Sequence, residues 1–110
     1  MQTPAKPATV QVPAHLYKDR YWRGTLHLFT KHSLLHRYFT SKYFDLEEGT
    51  IESAALKRLS RPWSQSEKFM LNLALHLFNE NLAKVNLSDM DHLNGFNKQL
   101  VMEALRLRFG

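Results

Sequence analysis

The densest apolar stretch of the chain is Ser64 to Ala83, SQSEKFMLNLALHLFNENLA. On a helix, Phe69, Met70, Leu71, Leu73, Ala74, Leu75, Leu77, Phe78 and Leu82 leave only one polar strip, Lys68, Asn72, His76 and Asn79. A helix this apolar is covered on several sides by other elements, so it is expected to be the central core helix. Its start carries a signature: Ser64 followed three residues later by Glu67 forms a capping box, with Trp63 just before as a hydrophobic staple. The polar strip is read as the exposed edge of that helix, since surface polar residues need no further cause.

Around it the 3.6-residue period recurs. Leu28, Leu35 and Phe39, widened by Leu34, Tyr38 and Tyr43, predict a helix over 27–44. Gly24 is read as punctuation before it. Asp45 to Gly49 is an acidic turn in which Gly49 can take positive φ. Thr50 is a good N-cap for a helix over 50–60, with Ile51, Ala54, Ala55, Leu56 and Leu59 inward and Pro62 ending it. Lys84 to Leu87 is a connector with the makings of a short β bridge, and Ser88 caps a short helical piece over 88–93. Asn94-Gly95 is a turn signal. A last helix over 96–108 is expected to face the core with Phe96, Leu100, Ala104 and Leu107, leaving Lys98, Gln99, Met102 and Arg106 outside. A further short piece covers 15–22. The expected architecture is all-α: four main helices in a single domain over 15–110, preceded by a flexible arm over 1–14 that holds Pro4, Pro7 and Pro13.

Composition narrows the class without fixing an activity. The 110 residues, 44% hydrophobic and 23% charged, suit one globular domain with a real core. No cysteine is present, which removes disulfides and thiol chemistry and fits a cytoplasmic protein. The first residues lack the apolar stretch of a signal peptide, and no apolar run is long enough for a membrane span.

Charge is more informative. Residues 1–44 carry seven Lys or Arg against the single acid Asp19, whereas 64–110 balance five against five. Such asymmetry points to a polyanion or an acidic protein surface as partner. Lys18, Arg20 and Arg23 interleave with Tyr17, Tyr21 and Trp22, a combination that contacts phosphates and stacks on bases. Lys57, Arg58 and Arg61 beside Trp63 repeat it. Lys31 and Arg37 complete the candidate binding set.

Catalytic and metal motifs are weak by comparison. His32 and His36 share the four-residue spacing of metal ligands, but zinc needs at least three protein ligands and no third is placed. Asp89, Asp91 and His92 resemble a cation site less than acids stabilising a helix start. There is no G-x-S-x-G and no phosphate-cradling glycine loop. The helices over 50–60 and 64–83 resemble a helix-turn-helix in order alone, because the second is too apolar to enter a groove. The expectation is therefore a non-enzymatic protein with no metal or cofactor that binds nucleic acid. The alternative is a protein-interaction module: a regulator or inhibitor of a larger nucleic-acid enzyme, or a homodimer.

Overall fold

A computed structural model of the chain describes residues 10–110. It is mostly helical, as the pattern requires. Five α-helices follow in order: α1 Arg20–Lys31, α2 Ser33–Arg37, α3 Ser53–Leu59, α4 Gln65–Phe78 and α5 Gly95–Phe109. Two 3-10 helices, Ala14–Lys18 and Leu87–His92, lie before α1 and between α4 and α5. The two-residue strands β1 Phe44–Asp45 and β2 Thr50–Ile51 pair antiparallel, Phe44 opposite Ile51 and Asp45 opposite Thr50.

The helix expected over 27–44 is two shorter ones. The Asp19 carboxylate accepts the backbone N–H groups of Tyr21 (2.8 Å) and Trp22 (3.3 Å), so α1 begins at Arg20. It then runs through Gly24 without a break. Gly24 is buried, and a Cβ there would lie 2.8 Å from the carbonyl oxygen of Ala104 on α5. The glycine serves a close helix approach and not a turn. His32 takes an extended backbone (ψ 122), which ends α1, and its Nδ1 accepts from Leu35 N to cap α2. After Tyr38 the chain turns into β1, where Gly49 closes the hairpin at φ +74.

Thr50 does not cap α3, because its backbone is committed to the ladder with Asp45. Glu52 takes that position without a side-chain hydrogen bond. At α4 the capping box forms as expected: Ser64 Oγ accepts from Glu67 N (3.3 Å) and Glu67 Oε1 accepts from Ser64 N (3.0 Å). The helix ends before Asn79, whose extended backbone stops it short of 83. Lys84 to Leu87 joins no strand, and Asn86 rather than Ser88 caps the following 3-10 helix by accepting from Ser88 N (3.1 Å).

The packing centre also differs. α4 is the most buried helix, but α1 lies between α4 and α5 and packs extensively against both. Thr25 Oγ1 donates to Ala74 O at 2.7 Å, and Trp22 packs against Phe78 with ring centroids 4.5 Å apart and the planes tilted by 51°. At the far end of α1, Phe29 meets Phe44 at 4.8 Å, and Phe39 meets Phe44 at the same distance. α5 presents Leu100, Val101 and Ala104 inward, which rotates Phe96 out to 60% exposure. Of the arm expected over 1–14, residues 1–9 lie outside the described residues. Val10 and Val12 pack against the core, and Val10 N donates to Phe39 O. Among the described residues no helix is long and apolar enough to cross a membrane.

Candidate nucleic-acid interface

Lys57 and Arg58 lie in the last turn of α3, where the helix dipole favours them, and Arg61 follows just after the helix. All three are exposed. Lys57 Nζ donates to the carbonyl of Leu82, which ties the loop after α4 against α3. Between them runs an open groove of about 460 Å³ lined by Ser53, Lys57, Arg58, Arg61 and Asn81, with no carboxylate on its walls. Among the described residues His27 Nε2 lies 2.8 Å from Glu103 Oε1, and no lysine or arginine nitrogen makes salt-bridge contact with a carboxylate oxygen.

Asn81 also lines a second cleft, of about 440 Å³, between that loop and the end of α5. Its walls include Tyr21, His76, Asn79, Glu80 and Arg108. The Arg108 guanidinium lies 4.4 Å from the ring centre of Tyr21 and 4.5 Å from that of Phe109. Arg20 lies 5.3 Å from the same tyrosine ring. Such contacts hold a guanidinium in a fixed plane. Arg108 Nε and Nη1 are buried with no hydrogen-bond acceptor. His76 Nδ1 lies 2.9 Å from Ala83 O, and because a carbonyl only accepts, that nitrogen carries the proton and Nε2 is left free in the neutral ring. The two depressions meet at Asn81: Lys57, Arg58 and Arg61 on one side, Arg108 with Arg20 behind Tyr21 on the other.

The fold thus brings together three of the expected binding cations, Lys57, Arg58 and Arg61, and places Arg108 in the adjoining cleft. Lys18, Arg20, Lys31 and Arg37 are exposed but line neither depression, although Arg20 lies against the Tyr21 ring. Arg23 is half-buried, with an Nε that finds no acceptor. Tyr21 keeps 46% exposure, though its ring already lies against the Arg108 and Arg20 guanidiniums, whereas Trp22, at 5%, is part of the core. Trp63 is half-buried against Tyr38 at 5.7 Å. Arg108 escaped the sequence reading, although it stands four residues after Ala104 and eight after Leu100. An arginine on the inward line of a helix is the signal that marks it.

The histidine and acid clusters resolve into structure. His32 is a buried cap and His36 lies beyond it on α2, so the two do not share one helical face. Burial pushes the His32 imidazole below its ordinary pKa of 6.5, and the Glu67 carboxylate opposes this to a smaller extent. Hydrogen bonds from His27 and then Gln99 hold the Glu103 carboxyl below the usual carboxylate range. Asp89, Asp91 and His92 sit on the second 3-10 helix, and among the described residues no three such side chains converge on a point. The chain matches no family model, and no curated protein and no solved structure matches it.

Proposed function

We propose that this chain is a non-enzymatic nucleic-acid-binding protein whose interface is the basic groove of Lys57, Arg58 and Arg61, with the cleft that adjoins it at Asn81. The observation that carries the reading is the groove of Lys57, Arg58 and Arg61, which gathers three unneutralised cations and no carboxylate. Positive charge held in a concave surface attracts a phosphate backbone and releases its counterions on binding. In the adjoining cleft, which also carries Glu80, Arg108 lies against the ring of Tyr21, with Arg20 on the same ring.

The deciding experiment is binding of the full chain to short single- and double-stranded DNA and RNA at two salt concentrations. Affinity that weakens steeply with salt, and is abolished by Arg58→Glu with Arg61→Glu while the circular dichroism stays native, supports the reading. Unchanged binding by that double variant removes it.

A second reading rests on a different surface. The outer side of α5 leaves Met102 and Phe109 exposed beside Leu105, along a largely apolar groove of about 860 Å³. Exposed apolar patches of this kind serve protein contacts. A protein-interaction module or homodimer would use that face, and it predicts a stable protein complex with no affinity for DNA or RNA alone.

A further inference from the structure

We propose that the outer face of α5 pairs with the same face of a second copy, antiparallel about a two-fold axis, with Arg106 of each copy against Glu103 of the other. The inference rests on the homodimer form of the second reading above and names what covers that face. It goes beyond the nucleic-acid reading, because the groove along α5 shares no lining residue with the groove of Lys57, Arg58 and Arg61.

The argument begins with where the exposed apolar side chains lie. Among the described residues six large ones are exposed, and α5 alone carries three: Phe96 at 60%, Met102 at 59% and Phe109 at 66%. Leu100, Val101 and Ala104 take the buried side of the same helix, which leaves its outer face uncovered. Met102 and Phe109 are seven residues apart, two helical turns, and so share one flank of that face. Gln99 and Arg106 run along its middle. Glu103 stands on the other flank, where His27 lies 2.8 Å from Oε1 and Gln99 Nε2 donates to Oε2 at 3.2 Å. A two-fold axis perpendicular to a pair of antiparallel helices sets each flank against the same flank of the second copy. Apolar side chains then meet apolar ones, and polar meet polar.

Charge decides the occupant and its direction. Arg106 is exposed, and among the described residues no carboxylate makes salt-bridge contact with it. The Glu103 side chain is 43% exposed, and each of its oxygens, engaged once, retains a lone pair for another donor. One helical turn separates these two charges. A parallel pair would set Arg106 against Arg106 and Glu103 against Glu103, and like charges brought together across an interface are costly. An antiparallel crossing centred between them reverses the order, so a single arrangement forms both ion pairs. Met102 then stands within about 4 Å of the crossing point along the helix axis, close enough for the two Met102 side chains to meet beside the ion pairs. A second copy thus supplies the matching charges at the matching spacing.

The test is sedimentation equilibrium of the full chain without nucleic acid, at concentrations up to about 500 μM, since a contact confined to one helix belongs to the small and weak class of interfaces. The mass should rise from 12.9 kDa toward twice that value as concentration increases. Arg106→Glu and Glu103→Arg should each weaken association at least about tenfold, because all the facing charges then have one sign. An equimolar mixture of the two variants should recover wild-type association, since one copy then offers only acids and the other only cations. Met102→Ser, on the apolar flank, should also weaken association, and it keeps the test open if Glu103→Arg loses its native circular dichroism along with the His27 contact. A wild type that stays at 12.9 kDa throughout overturns the inference. So does a mixture that associates no better than either folded variant. A dimer insensitive to all three substitutions also overturns it; there the homodimer reading stands and only the α5 pairing falls. The masses are independent of nucleic-acid binding, which the salt titrations above decide separately.

Discussion

A Cβ added to Gly24 would lie 2.8 Å from Ala104 O and 3.0 Å from Leu77 Cδ1. Two opposing effects meet at this residue. Alanine is about 1 kcal/mol better than glycine inside a helix, whereas overpacking a tight contact costs about 1–3 kcal/mol. The leucine tip can move, but the Ala104 carbonyl is fixed in its helix, so the clash prevails. Gly24→Ala should lower the melting temperature by several degrees, as each kilocalorie shifts it by roughly 4–8 °C in a domain of this size. A melting point at or above wild type would show that α5 shifts at no cost. His32 gives a second prediction, in pH. Its pKa is lowered by burial, so below 6.5 the unfolded chain binds more protons than the folded one. The stabilising contribution is therefore complete above that pH and is lost as pH falls toward the folded pKa. Urea midpoints at pH 7.5 and 5.5 should differ less for His32→Asn, which keeps a capping acceptor but cannot titrate, than for wild type. Neither role was legible in the sequence. A lone glycine does not say what approaches it, and a histidine four residues from another resembles a ligand until the backbone turns at the first.

At the scale of elements, local signals survived where the backbone was free to obey them. Ser64 and Glu67 formed their capping box because nothing else claims the backbone before α4. Thr50 had an equally good cap chemistry and lost it to β2, since pairing with Asp45 fixed its main chain as extended. Ser64→Ala should then cost about 1 kcal/mol of unfolding free energy, as should Asp19→Ala at the start of α1. Exposed Thr50→Ala should stay within about 0.5 kcal/mol of wild type. Denaturant titrations of the three variants compare the sites directly, and a Thr50 loss as large as the Ser64 loss would contradict the strand assignment. The 3.6-residue period itself was blind to the break at His32. Apolar residues on both sides, Leu28 and Leu35 among them, are buried, so the stripe continues across two helices that are not collinear in backbone.

For the molecule as a whole, the charge asymmetry of the sequence and the charge convergence of the fold are different facts. Residues 1–44 hold seven cations against one acid, yet Lys18, Arg20, Lys31 and Arg37 line neither depression. The proposed interface draws on Lys57 and Arg58 of α3, Arg61 just after it and Arg108 of α5, in a fold where α1 packs against both α4 and α5 and Lys57 ties the loop after α4 to α3. Net charge along a segment cannot reveal that, since it carries no information about which face each cation reaches. Salt dependence separates the two descriptions. If binding follows net charge, Lys31→Gln with Arg37→Gln should flatten the plot of log affinity against log salt as much as Lys57→Gln with Arg58→Gln. If it follows the groove, only the second pair changes the slope, by about 0.7–0.9 for each phosphate contact removed. The geometry favours the second outcome, because Lys57 and Arg58 share one concave wall with Arg61 whereas Lys31 and Arg37 each end a separate helix in open solvent. An equal loss of slope in both pairs would mean that the nucleic acid wraps a wider surface than the two depressions at Asn81.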